Sequence, residues 1–210
     1  MNKTNLKKTI AIGLAAMALF ASFGCGGNGK KSSNGSVVSV PQNEQQTNQK
    51  LSEVSEQQLQ GDTYYKEGKY SEAIACYTRA INEGFSAYLE RGNAFRAQGN
   101  TEAAVADYMK VINDGNKWID SVSAKNPKYL QRTPKAPNDP RPRMSYAYIG
   151  LGYIRMEQNE LNSAIENFTK ALELEPRSEA YNGRGECYKR QGKSAQADAD
   201  FAKVQNMKGK

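Results

Sequence analysis

The side chains best suited to nucleophilic chemistry in this 210-residue chain are three cysteines, Cys25, Cys76 and Cys187, and no histidine stands anywhere to activate them. That absence excludes histidine-based triads, the HExxH zinc site and imidazole general bases. Asp198 and Asp200 stand two apart on a predicted helix, point away from one another and read as solvated surface. Gly24-Cys25-Gly26-Gly27-Asn28-Gly29 has the GxGxxG spacing of a phosphate-binding turn, but it follows no strand pattern and opens no helix. There is no nucleophile beside a base and no phosphate loop. The chain is therefore not expected to be an enzyme, and no cofactor or metal is predicted. Only Cys25 has surroundings that point to chemistry, and that chemistry is not catalytic.

Lys3, Lys7 and Lys8 precede an uncharged apolar run from Ile10 to Phe23. The run is too short to cross a bilayer comfortably but suits the core of an export signal. It ends in Ser22-Phe23-Gly24-Cys25. A small residue directly before cysteine resembles a bacterial lipoprotein signal, which implies that Cys25 becomes the lipidated first residue after removal of residues 1–24. Ser22 departs from the leucine usual in that pattern, and the same cleavage would split the glycine-rich stretch. Residues 25–50 are mostly Gly, Ser, Asn, Gln and Lys, with almost nothing to bury. They are expected to form a flexible tether of ~30 Å reach. The resemblance places the protein in a bacterial cell envelope, and Gly26, where aspartate would signal inner-membrane retention, favours the outer membrane if there are two.

The rest of the chain carries a repeat. Gly61, Gly92, Gly152 and Gly185 are each followed twelve residues on by Ala73, Ala104, Ala164 and Ala197, sixteen on by Tyr77, Tyr108, Phe168 and Phe201, and nineteen on by Ala80, Val111, Ala171 and Val204. Two antiparallel helices per repeat account for this spacing. The glycines should lie where the second helix crosses the first, with the alanines opposite them and the aromatics filling the space one turn away. Gly68-Lys69, Gly99-Asn100, Gln158-Asn159 and Gly192-Lys193 are the predicted turns between helices. Cys76 and Cys187 then fall in distant repeats and read as small packing residues, not a disulfide.

Tyr148, Leu151, Gly152, Ala164, Phe168, Ala171 and Pro176 match the tetratricopeptide repeat (TPR) pattern. The chain resembles that family over about residues 54–115 and 145–210, which implies an all-α fold of helix pairs stacked as a solenoid. The expected repeats are 54–84, 85–115, 145–178 and 179–210, within an array over 51–210. Gln57 and Gln60 replace an aromatic and a leucine in the first repeat, and Arg155 replaces an aromatic in the third. The glycine-to-glycine steps of 31, 60 and 33 residues place a long basic, Pro-rich insert, 116–143, between repeats two and three.

The formal charge is +7, of which three lysines belong to the leader. Residues 116–143 alone carry seven basic and two acidic side chains, so the repeats are close to neutral and no nucleic-acid footprint is spread over a face. The insert also holds Trp118, expected to anchor it on the array, and five of the seven prolines. The second helix of repeat two is expected to run on past Gly115, or to restart, until Pro127; Pro134 to Pro142 should be extended. Lys125, Lys128, Arg132, Lys135, Arg141 and Arg143 are candidate contacts for anionic lipid or an acidic partner.

On each first helix, the residues three before, one after and four after the glycine share a stripe. In the family the chain resembles, that stripe lines the peptide-binding face. Its candidates here are Leu89, Asn93, Arg96, Ile149, Tyr153 and Met156, extended by Tyr146. Gln58 and Asp62 replace the lysine and asparagine with which chaperone-binding relatives clamp a carboxylate. The resemblance implies a lipid-anchored adaptor that binds a protein or peptide partner in an envelope complex. A self-associating structural protein of the envelope, joined through its groove or an uncapped end, is the alternative.

Overall fold

A computed structural model describes residues 56–125 and 138–208. The leader, Cys25, the tether, and Pro127, Lys128, Arg132, Pro134, Lys135 and Pro137 lie outside the described residues. Within the unit 42–210, the described residues form eight helices and no strand. They are α1 (Glu56–Lys66), α2 (Tyr70–Asn82), α3 (Tyr88–Gln98), α4 (Thr101–Lys125), α5 (Arg141–Glu157), α6 (Leu161–Leu174), α7 (Ser178–Arg190) and α8 (Ser194–Lys208). They pair as α1/α2, α3/α4, α5/α6 and α7/α8, each pair packed on the next. The all-α solenoid is as expected.

The four turns inside the pairs are one motif. Gly68, Gly99, Asn159 and Gly192 have φ of 76°, 87°, 61° and 72°, the left-handed conformation that ends a helix at low cost only for glycine or asparagine. In each case the next residue donates its N–H to a carbonyl five residues back, as Lys69 does to Tyr64 at 2.9 Å and Glu160 to Arg155 at 2.8 Å.

The repeat glycines make room for a ring rather than for a backbone. A Cβ on Gly61, Gly92, Gly152 or Gly185 would lie 2.6, 3.0, 2.7 or 2.9 Å from the ring of Tyr77, Tyr108, Phe168 or Phe201. This corrects the expectation that the alanines sit on the glycines. Ala73, Ala104 and Ala164 are fully buried, but the aromatics occupy the hollow. Two rings are gripped from the far side as well. A Cβ on Gly150 would lie 2.4 Å from Tyr108, and one on Gly183 would lie 2.3 Å from Phe168. Repeat three therefore stacks directly on repeat two despite the 60-residue step between their glycines.

The ends of the insert belong to helices. α4 runs unbroken through Gly115, which is buried because Met144 of α5 crosses it; a Cβ there would lie 2.3 Å from the Met144 sulfur. Trp118, Ile119 and Val122 are half-buried on the extension. At the far end, α5 starts at Arg141 with Pro142 in its first turn, where a missing N–H costs nothing. Asp139 accepts the N–H of Arg141 at 2.9 Å. Pro140 and Pro142 thus open a helix instead of lying in extended chain, and α5 starts four residues ahead of position 145.

Candidate functional site

Helices α3, α5 and α7 bring part of the expected stripe together. Arg96 on α3 lies over the Tyr153 ring of α5, its guanidinium carbon 5.6 Å from the ring centroid, and donates to Glu157 at 3.5 Å. Its Nε is buried without a hydrogen-bond acceptor. Tyr153 stands edge-on to Phe168 with centroids 5.2 Å apart and donates to the Glu179 carbonyl at 3.3 Å. Arg190 of α7 donates to the Met156 carbonyl at 3.5 Å. Asn93, Arg96, Tyr153 and Met156 are all half-buried, presenting part of each side chain to solvent. They form a polar-aromatic surface across α3 and α5.

Leu89 and Ile149 do not belong to it. They are 6% and 5% exposed and sit in the packed clusters between helices, because a position three before the glycine already turns into the pair. Tyr146 is 40% exposed, with the Arg177 guanidinium stacked 3.7 Å from its centroid. Two other members of the stripe serve the core. Asp62 accepts the Tyr77 hydroxyl at 2.8 Å and Asn93 accepts that of Tyr108 at 2.8 Å. Where the ring is phenylalanine, the residue after the glycine is Tyr153 or Glu186 instead.

Burial pushes the Tyr108 phenol up to about 12, with the Arg96 charge pulling against it. Burial and the bond to Asp62 push Tyr77 up as well. An unfolded phenol ionises near pH ~10. Below that pH both states are protonated and Tyr108 adds no pH dependence. As pH rises toward 12 the unfolded state ionises while the folded one holds its proton, so stability falls. Tyr108→Phe should therefore lose up to about 3 kcal/mol less than the wild type between pH ~9 and ~12. The lost Asn93 bond adds a pH-independent offset of about 1 kcal/mol. Urea midpoints at both pH values test this, and parallel losses in the two proteins would contradict it.

The basic candidates fare unevenly. Arg141 is chelated by Asp139, its Nε 2.8 Å from Oδ2. Arg143 donates to Glu90 at 2.8 and 3.0 Å and to the Ser86 carbonyl at 2.9 Å, because the first turn of α5 faces α3. Both are paired with carboxylates of their own chain while keeping part of the side chain exposed. Lys125 is exposed in the last turn of α4.

One constellation escaped the sequence reading. Arg91 grips Asp107 through two bonds of 2.8 Å and reaches back to Thr78 of the preceding repeat at 3.1 Å. Arg184 does the same with Asp200, at 2.8 Å twice, and with Thr169 at 3.1 Å. Asp200, read as surface, is 5% exposed; Asp198 is exposed as expected. The recurrence of Arg one before and Asp fifteen after Gly92 and Gly185, with Thr seventeen after the preceding Gly61 and Gly152, was the available signal. Cys76 and Cys187 are buried free thiols, and burial pushes the Cys187 thiol up, away from reactivity.

Among the described residues no helix is long and apolar enough to cross a membrane, and no cluster of ligating side chains could hold a metal. No curated protein matches the sequence. Among solved structures, MamA 41-end from Desulfovibrio magneticus RS-1 is 18% identical, covering 72% of this chain and 93% of its own, with a TM-score of 0.33. A structure described as MamA MSR-1 C2 is 19% identical, covering 73% and 95%, with a TM-score of 0.32. Three family models, each described as Tetratricopeptide repeat, match residues 59–115, 145–178 and 178–210, more than half of the chain between them. With helix pairs closed by a left-handed turn and glycines seated on aromatic rings throughout those residues, this chain belongs to the tetratricopeptide repeat family.

Proposed function

We propose that this protein is a lipid-anchored adaptor of a bacterial cell envelope that holds a protein partner along the surface of Asn93, Arg96, Tyr153 and Met156. Repeat proteins of this family are protein-interaction scaffolds, and that much follows from the fold. The observation that carries the binding surface is Arg96. Its guanidinium is held over an aromatic ring, yet its ion pair is a long one, 3.5 Å to a Glu157 carboxylate that is 58% exposed. A cation positioned by packing but poorly paired is suited to a partner's acceptor, and Arg and Tyr are residues that dominate interfaces. The anchor rests on Lys3, Lys7, Lys8, the apolar run and Gly24-Cys25, with residues 26–50 as its tether and Gly26 favouring an outer membrane.

Crosslinking from cell envelopes tests both parts. An Arg96→Glu, Tyr153→Ala, Met156→Glu protein, with helicity retained by circular dichroism, should capture its partner at least about tenfold less than the wild type. Equal capture would move the site off this surface. A Cys25→Ala protein should leave the membrane fraction, and its retention there would end the anchor proposal.

A further inference from the structure

The same pair of side-chain bonds crosses the first and last joints of the array. Between repeats one and two, Arg91 donates to Thr78 at 3.1 Å and Gln98 to Ser71 at 2.8 Å. Between repeats three and four, Arg184 donates to Thr169 at 3.1 Å and Gln191 to Asn162 at 2.8 Å. The donors stand one before and six after Gly92 and Gly185, the acceptors seventeen and ten after Gly61 and Gly152. One bond ties the helices midway, and the other ties the end where each pair turns.

The middle joint has neither. Leu151 and Met109 hold the arginine and threonine positions, and Met109 is left 42% exposed. Gln158 is in place at the turn, but Glu102 stands where Ser71 and Asn162 accept, and Gln158 instead accepts from Arg155 of its own repeat at 3.2 Å. Among the described residues, the polar bonds across this joint are those of Arg143 to Glu90 and Ser86, and the 3.5 Å pair of Arg96 with Glu157. The Arg143 bonds lie at the start of α3 and α5, the end where Met144 is seated on Gly115. Farther along α5 the joint is apolar, with Leu151 and Ile154 packed among Ala104, Tyr108 and Ile112. The doubly gripped ring does not set this joint apart, since Phe168 is gripped by two glycines at the last joint as well.

We infer that the array is built as two stiff blocks, repeats one and two and repeats three and four, joined by a hinge that is pinned at Arg143 and Glu90 and opens at the turn end. Apolar contact has no preferred direction, whereas a hydrogen bond is lost beyond about 3.5 Å. Glu157 lies fourteen residues along α5 from Arg143, about 21 Å, so a tilt of ~5° moves it by ~2 Å. A tilt of that size breaks both bonds of an outer joint, but at the middle joint it breaks only the long pair of Arg96 with Glu157. Asn93 and Arg96 ride on one block, Tyr153 and Met156 on the other. A partner that touches all four therefore closes the hinge, and that step alone rests on the binding surface proposed above.

The test is thiol labelling at the joints. Two residues after its glycine each joint buries Ala94, Ile154 or Cys187, at 0%, 2% and 0% exposure, so a thiol there reacts only when the joint opens. The full chain in detergent micelles is treated with a small uncharged maleimide, and native Cys187 is compared with Ala94→Cys and Ile154→Cys by peptide mass spectrometry. Rates are normalised to the same thiols in the unfolded chain. The Ile154→Cys thiol should label at least about tenfold faster than the other two, at a rate flat in low urea because a hinge exposes little surface. Ala147→Cys, at the pinned end of the same joint, should label as slowly as the outer joints, and fast labelling there would remove the pivot. Equal rates at 94, 154 and 187 would overturn the inference. So would an Ile154→Cys rate that climbs with urea as steeply as global unfolding. The reverse experiment separates the missing bonds from any packing defect left by Ile154→Cys. Thr78→Val with Gln98→Ala should speed the Ala94→Cys thiol, and Thr169→Val with Gln191→Ala the native Cys187, each at least about tenfold. Unchanged rates in these variants, with helicity retained, would also overturn it. The hinge is read without a partner and the surface by crosslinking, so either can fail alone.

Discussion

Gly150→Leu should cost at least about 3 kcal/mol of stability, a large share of the ~5–15 kcal/mol that holds a domain together. The reason lies in Tyr108. Its ring is 0% exposed and lies between Gly92 on one side and Gly150 on the other, where even a methyl group would stand 2.4 Å from Cζ. Leucine brings three more carbons into the same space. Tyr108 has little room to move, since Gly92 lies so close on the other side that a Cβ there would already stand 3.0 Å from the ring, and its hydroxyl is bound to Asn93. The gain in helix propensity over glycine, about 1 kcal/mol, does not offset overpacking of this size. Urea unfolding followed by circular dichroism gives the number. A second background separates the ring from other causes: with Tyr108→Ala present, the cost of Gly150→Leu should fall to about 1 kcal/mol or less, because leucine then fills the void. Equal costs in both backgrounds would mean that the ring is not what Gly150 accommodates.

Gly150 also shows where the sequence could be read and where it could not. The repeat was visible because each glycine and its ring lie in one helix pair, so their separation is constant along the chain. Gly150 and Gly183 receive rings from the preceding repeat, and the insert changes one of those separations, so no fixed spacing reveals them. The stripe of i, i+4 and i+7 positions was correct as geometry. It was too wide as a surface, because a helix packed on both sides buries a broad arc, and Leu89 and Ile149 fall inside it. Proline misled at Pro140 and Pro142 for a different reason. The residue that breaks a helix interior is favoured in its first turn, and Asp139 supplies a carboxylate for that turn. The basic insert looked like one cluster in sequence. The structure divides it, because Arg141 and Arg143 sit at a helix start beside carboxylates of their own chain.

Asp107→Ala should cost about 3–5 kcal/mol, because it leaves the Arg91 cation in a site from which water is largely excluded. Side-chain exposure is 18% for Arg91 and 7% for Asp107. The bonds to Asp107 raise the Arg91 pKa despite burial, so the arginine cannot escape by losing its proton. The chain supplies its own control in repeat three, where Leu151 and Asn167 occupy the two positions and Leu151 is 7% exposed. Arg91→Leu with Asp107→Asn copies that arrangement into repeat two. It should cost no more than about 1–2 kcal/mol, since removing both charges together removes the desolvation penalty along with the attraction. The comparison decides what the pair is for. A double variant as unstable as Asp107→Ala would make the ion pair a source of stability in its own right. The expected recovery instead assigns it to register. Arg91 can reach Thr78 across the repeat boundary at 3.1 Å only when the two helix pairs are correctly aligned, and Arg184 meets Thr169 under the same condition. An apolar joint tolerates a small slide of one pair on the next, whereas a guanidinium held by two fixed oxygens and a hydroxyl does not.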